Sequence, residues 1–372
     1  MSELNASNLR KEHGNEGPDL VGTTELTSPY FMVPPSGSTA ERPQNPQPGT
    51  LRFNTDSGSL EYFRADDLGW ETISRTNIDH GAGVRIINGG GVAPGPSYVN
   101  TMDYFADAAP ANSVDFGDLG TNRNTNLASC ASNTRGIWAG DAGGYENVIE
   151  YATIATLGNA VNFGDKILKT MQGSALSTQT RGVFAGGYVP GGPSNVLEYI
   201  TISTGSNAVD FGDMTAGHYA ASAASSSTRG IIAGTDTSPA SNVIDYITMA
   251  TTGNGKDFGD LPVTRIGSPQ GGANATRMIA PICKDSGGST TNTINYITMA
   301  TLGNSIDFGD LTVARGGFGG AASRLHYFAC GGPGSDVIDK CTILTTGNFI
   351  DFGNLSQTRY GCGGVSSGHG GL

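Results

Sequence analysis

A carboxylate recurs in register along this 372-residue chain. Asp118, Asp165, Asp213, Asp260 and Asp310 each close a tetrapeptide of the form Asp/Asn-Phe-Gly-Asp, and Asn354 closes a sixth copy. A basic residue follows each one closely: Arg123, Lys169, His218, Arg265, Arg315 and Arg359. A carboxylate beside a base could move protons or help to hold a cation. Calcium is a poor fit, because it needs about six to eight oxygens and each copy offers one carboxylate. A kinase-type metal aspartate occurs once, with partner motifs around it. A pair repeated in every unit points instead to architecture. The expectation is that aspartate and base pair within or between units and fix a turn.

Other chemistry finds little support. The histidines His13, His80, His218, His326 and His369 share no repeat position, so a copper site built on imidazoles is not expected. His-Glu-x-x-His and P-loop patterns are absent from the sequence. No enzyme activity and no cofactor are expected. The five cysteines (Cys130, Cys283, Cys330, Cys341 and Cys362) show no Cys-x-x-Cys spacing and read as small buried apolar residues.

The elements that carry the tetrapeptides repeat with them. Phe116, Phe163, Phe211, Phe258, Phe308 and Phe352 recur every 44 to 50 residues. Each unit reads as a small apolar strand, such as Ala220 to Ser225. A strand running into glycine comes next, starting at Arg85, Arg135, Arg181, Arg229, Arg277 and Arg324, then a strand like Asn242 to Ala250, then the Phe-Gly strand. Thr-x-Gly-Asn turns join the last two. Four antiparallel strands per unit, with small residues on the first, predict an all-β fold: a six-bladed propeller over residues 81–372. The first unit has a poor first strand, while Arg359 to Ser367 is a spare copy of one. That spare strand is expected to insert into the first blade and close the circle, protecting its edge.

Composition agrees. Glycine accounts for 57 residues and charged residues for 15%, which suits short strands and tight turns over long helices. A net charge of −12 argues against a nucleic-acid partner. No run reaches the roughly 18 apolar residues that cross a bilayer, so no membrane insertion is expected. The polar start of the chain does not read as a signal peptide.

Residues 1–30 are polar and aperiodic and read as an extended arm. Residues 31–80 form a proline-rich leader and a hairpin: Leu51 to Asn54 and Ser59 to Phe63 flank an Asp/Gly turn, and Trp70 to Ile73 offers a third strand. Phe31, Phe53, Tyr62 and Trp70 are its candidate docking residues. In the repeat region, the strand two-to-three loops vary from unit to unit. They are expected to share a face with the basic residues, which makes Tyr98, Tyr145, Tyr188, Arg123, Arg265, Arg315 and Arg359 the candidate binding face.

The leader, with Pro35-Ser36-Gly37-Ser38-Thr39-Ala40-Glu41-Arg42-Pro43, Gly49-Thr50-Leu51-Arg52-Phe53-Asn54-Thr55, Gly58-Ser59-Leu60-Glu61-Tyr62 and Trp70, resembles a module of phage tail fibres and other virion proteins. The glycine strand followed by a tyrosine strand resembles Kelch-type, galactose-oxidase-like propeller repeats, with phenylalanine where Kelch blades carry an outer tryptophan. The repeat style also looks like that of marine and cyanobacterial phage proteins. These resemblances imply a virion structural protein, made in the host cytoplasm. Its N-terminal region would dock to other virion proteins. Its propeller would be displayed for attachment to a host surface glycan or protein, or for tail, baseplate or capsid decoration. A glycan-active propeller enzyme and a cytosolic Kelch-like adaptor are the alternatives. The enzyme would need His, Asp and Glu gathered asymmetrically at one channel mouth.

Overall fold

The computed structural model describes residues 34–64, 69–73, 84–95, 97–123, 127–140, 144–235, 241–264, 267, 269–285 and 287–372. The arm over residues 1–30, Phe31 and Arg265 lie outside them. The described chain is all-β, with one 3-10 turn at Thr39–Glu41 and no α-helix. It divides into two compact units, Met1–Thr76 and Asn77–Leu372.

In the first unit, Leu51–Asn54 pairs antiparallel with Ser59–Phe63, which pairs with Trp70–Ile73. The two-residue strand Ser36–Gly37 adds to the other edge in parallel. Alternation places Arg52, Asn54, Glu61 and Phe63 on the buried face, while Phe53 is 37% exposed on the other.

The second unit repeats one four-stranded antiparallel pattern six times among the described residues. Sheet 1 orders Gly363–Ser366, Arg85–Gly89, Ser97–Ala106 and Val114–Arg123. Sheet 2 orders Ala128–Ala131, Arg135–Ala139, Glu146–Thr153 and Val161–Thr170. Sheet 3 orders Ser174–Ser177, Arg181–Ala185, Gly192–Thr201 and Val209–His218. Sheet 4 orders Ser222–Ser225, Arg229–Ala233, Val243–Thr248 and Lys256–Asp260. Sheet 5 orders Gly272–Ala273, Arg277–Pro281, Thr293–Thr298 and Ile306–Asp310. Sheet 6 orders Gly319–Ala322, His326–Gly332, Ser335–Thr342 and Ile350–Asn354. The spare strand is thus the first strand of sheet 1, with Gly363 opposite Gly89 and Ser366 opposite Ile86. In sheet 6 the residue in the arginine position is His326, opposite Thr342, and Arg324 lies in the loop before it. The sequence reading had placed that strand's start two residues early.

The Phe-Gly tetrapeptide explains how neighbouring sheets join. Each outer strand carries a bulge there: Ile149 faces Gly164, Glu150 faces Asn162, and Phe163 is the extra residue. The same shift recurs in all six sheets. All six phenylalanines are buried at 2–4% exposure, and each belongs to an apolar cluster with residues of the next sheet. Phe116 packs with Ile154 and Ala160, Phe258 with Ile297 and Met299, and Phe352 with Phe105 of sheet 1. Burying one such ring contributes about 1.5–3 kcal/mol. The following glycine has φ between +139° and +156° in every copy. A Cβ there would sit 2.6 Å from the backbone of the next sheet's turn at Gly117, Gly164 and Gly212.

That turn supplies the next bond. The Asp118 N–H donates to Asn159 Oδ1 at 3.0 Å, and Asp165, Asp213, Asp260 and Asp310 do the same with Asn207, Asn254, Asn304 and Asn348. The Asn354 N–H donates to Asn112 Oδ1 of sheet 1 at 3.0 Å. The recurring aspartate therefore contributes its backbone to the seam.

Candidate functional site

Four of the basic residues after the tetrapeptides pair with acids, but not with the tetrapeptide aspartates, while Lys169 is exposed and makes no such pair among the described residues. Arg123 binds Glu150, His218 binds Asp245 at 3.2 Å, Arg315 binds Asp339 at 2.8 Å and Arg359 binds Asp103 at 3.0 Å. Each acid precedes the tyrosine position on the third strand of the following sheet. The bulge moves the tetrapeptide aspartate outward, and the chain then turns its base into the next sheet. In sheet 3, Glu198 accepts the backbone N–H of Ile167 and Leu168 instead. Burial raises its pKa, opposed by the Lys166 charge and those two N–H groups.

Arg123, Arg315 and Arg359 are 1%, 4% and 0% exposed. Their guanidinium groups also donate to backbone carbonyls: Arg123 to Gly140, Arg315 to Gly331 and Ala329, Arg359 to Asn88 and Thr101. They are interior ties between sheets, which corrects their assignment to a binding face. At this burial their guanidinium groups are closed to a ligand.

A second set of arginines ties the seams nearer the surface. Arg85, Arg135, Arg181, Arg229 and Arg277 each lie over the tyrosine of their own sheet, 4.1–5.0 Å from its centroid. Each donates to a carbonyl of the next sheet, at Ile154, Ile202, Met249, Met299 and Ile343. Cation–π contacts of this kind contribute about 0.5–1 kcal/mol each where exposed. The seam from sheet 6 to sheet 1 departs from this pattern. His326 replaces the arginine, Lys340 the tyrosine, and Asp107 the buried aliphatic residue. His326 and Lys340 reach Asp107 at 2.7 and 3.0 Å. Burial opposes the Asp107 carboxylate, but hydrogen bonds from Ser323, His326 and Lys340 outweigh it and lower its pKa.

The first strands lie side by side in chain order, sheet 6 beside sheet 1, with a narrow space between them. Ser177 Oγ donates to Ala131 O, and Ser225 Oγ to Ser177 O, both at 2.7 Å. Two single residues fill this space. Gln270 donates to Leu127 O at 2.7 Å and accepts the Gly364 and Gly320 N–H groups at 2.8 and 3.1 Å. From the segment after Gly363–Ser366, His369 Nε2–H donates to Ala131 O at 2.8 Å, while its Nδ1 accepts the Gly371 N–H. Burial pushes its pKa down to about 4, so the ring is neutral at pH 7. The voids left between these strands measure about 40 and 60 Å³, too small for an ordinary small-molecule site of about 300–1,000 Å³.

Tyr145 and Tyr188 sit on strand two-to-three connections, in sheets 2 and 3, and Tyr98 lies at the start of the third strand of sheet 1, opposite Val92. Tyr98 is 41% exposed and the other two are half-buried. Among the described residues, ring contacts join Tyr188 to Tyr219 at 5.3 Å and not to Tyr98 or Tyr145. Sequence reasoning missed Tyr219, Gln270, His369 and the Asp107–His326–Lys340 cluster. The last was legible as a break from Thr-Arg-Gly to Leu-His-Tyr.

In the leader unit, Phe53 is open, Tyr62 donates to Glu71 at 2.8 Å, and Trp70 is half-buried below Arg42 and Arg52, at 5.8 and 5.9 Å. The motif residues converge on Glu61, which is 1% exposed. It accepts Arg42 twice, at 2.7 and 3.2 Å, and Arg52 and Asn54 once each, at 3.1 Å. Ser38 and Glu41 form a reciprocal cap that fixes the turn carrying Arg42. Trp70 is therefore part of the unit's own packing, and Phe53 and Tyr62 lie on the opposite, open face.

No family model matches the chain, and no curated protein matches it. Among solved structures, the one titled "Structure of YjhT" is similar, with a TM-score of 0.52 at 10% identity over 65% of this chain and 87% of that chain. That structure is a Kelch-like propeller. At this identity the likeness bears on fold alone.

Proposed function

We propose that the six sheets are the blades of a closed Kelch-like propeller, and that the chain is a structural component of a phage particle. On this reading the leader unit docks to other virion proteins, and the propeller is displayed for host attachment or surface decoration. The ring is supported by the recurrent seam, whose hydrogen bonds and apolar clusters run from each sheet to the next and from sheet 6 to sheet 1, with buried ion pairs at four of the six seams. Gln270 and His369 fill the axis where a ring would otherwise offer a ligand site, which favours a scaffold role.

The observation that carries the docking role is the Glu61 cluster. Arg42, Arg52, Asn54, Glu61 and Trp70 are the residues by which the leader resembles virion modules, and they gather into one buried polar centre. This builds a small self-supporting sheet from a segment with little apolar core. It leaves Leu51, Phe53, Leu60 and Tyr62 on one face for a partner. The test is to delete residues 1–80 and assay particle incorporation. Loss of the protein from particles, with the remaining propeller still folded, fits the docking role. Normal incorporation contradicts it.

A further inference from the structure

We propose that the cavity at the seam between sheets 6 and 1 binds a carboxylate-bearing saccharide, with Arg324 as its anion contact. The cavity measures about 730 Å³, within the ordinary range for small-molecule sites of about 300–1,000 Å³. A neighbouring cavity of about 480 Å³ shares Arg324 and Leu372 with it.

Three observations point to this ligand class. The first is charge. Among the described residues, every other arginine has a carboxylate, a carbonyl or both as partner, while the Arg324 guanidinium meets neither. It is exposed on the loop between the first two strands of sheet 6, where its fork of donors is open to a planar carboxylate.

The second is hydrogen bonding. Asp107 sits in the cavity wall, held by His326 and Lys340, and Asn133 and Gln179 bond to each other across sheets 2 and 3 on the same wall. Acceptors and amides at fixed positions suit sugar hydroxyls, which both donate and accept. The third is the apolar surface. Leu325, 60% exposed, stands beside Arg324, where sheets 2 to 5 place a threonine. It offers a C–H surface for a pyranose face.

This seam is also the one where the repeat departs from its own pattern. A unit copied six times, with the arginine–tyrosine stack and its carbonyl bond kept in five, has here exchanged the arginine and tyrosine for the Asp107–His326–Lys340 cluster and an open cavity, with Lys340 now donating to the Asp107 carbonyl. The proposal does not depend on the chain being a particle component.

The test is isothermal titration of the full chain with a panel of hexuronate tetrasaccharides, each compared with its methyl ester, which keeps the rings and removes the charge. At least one acid is expected to bind, with its ester at least about tenfold weaker. Arg324→Ala should weaken the acid to the level of its ester. Ala108→Trp, which fills the cavity and leaves Arg324 in place, should abolish binding. The proposal is overturned if no acid binds, if acid and ester bind alike, if both variants bind as the parent does, or if inorganic sulfate displaces the acid at equal concentration.

Discussion

Arg359 lies 3.0 Å from Asp103, and both side chains are fully buried. One follows the last sheet in the sequence and the other belongs to the first. The same tie joins Arg123 to Glu150, His218 to Asp245 and Arg315 to Asp339, so the seam between the ends of the chain uses the chemistry of the internal seams. Removing one member of a buried pair strands the other and costs about 3–5 kcal/mol. Arg359→Met is expected to lower unfolding stability by that amount in denaturant titrations. Arg64→Met, which breaks the exposed pair with Glu71, should cost less than about 1 kcal/mol.

Gly212 and Gly253 separate two effects at one seam. Both have positive φ, +143° and +148°, but a Cβ on Gly212 would lie 2.6 Å from the Gly253 carbonyl oxygen, while one on Gly253 meets nothing within 4 Å. Gly253→Ala is expected to carry backbone strain of about 1–3 kcal/mol. Gly212→Ala adds a collision between sheets and should be the less stable of the two by thermal melting. Equal melting temperatures would show that the seam yields easily at this point.

His369 makes stability depend on pH in a defined direction. Its pKa is lowered from 6.5 to about 4 by burial. The unfolded chain therefore binds a proton at a pH where the folded chain does not. Stability is full above the unfolded value and is lost as pH falls from about 6.5 toward 4, by up to roughly 3 kcal/mol. His369→Asn should be less stable than the parent at pH 7.5, yet lose less between pH 7 and 4.5. Parallel pH profiles would exclude His369 as the source.

Glu61 gives the leader unit an acid limit. Its pKa lies below the ordinary glutamate value, chiefly through the Arg42 hydrogen bond, with Asn54 and Arg52 adding to it and burial opposing. For a depressed carboxylate, stability is present above the unfolded pKa and is lost as pH falls through the folded one. Amide signals of residues 50–63 should collapse below the usual glutamate range, and Glu61→Gln should collapse them at neutral pH. Intact signals in the variant would mean that the apolar contacts alone hold the sheet.

Much of this fold was legible because it repeats. The phenylalanines, the glycine strands and the spare strand from Arg359 to Ser367 marked six units and the pairing of the last strand with Arg85–Gly89. What was not legible turns on long-range geometry. The partners of Arg123, Arg315 and Arg359 lie a whole sheet away, and the bulge that directs them leaves no composition signal. The leader's hairpin alternation does not show which face is buried: Arg52 and Glu61 lie inside because the charges satisfy each other there, and Phe53 and Tyr62 lie on the other face. Gln270 and His369 occur once each in glycine-rich stretches, where no period singles them out.

The most direct test of the proposed particle role is mass spectrometry of purified phage particles from the source in which the chain is made. The account expects the protein at structural stoichiometry in intact particles, retained after washing in high salt. Its absence from particles, with the protein abundant in the infected-cell lysate, would contradict the account.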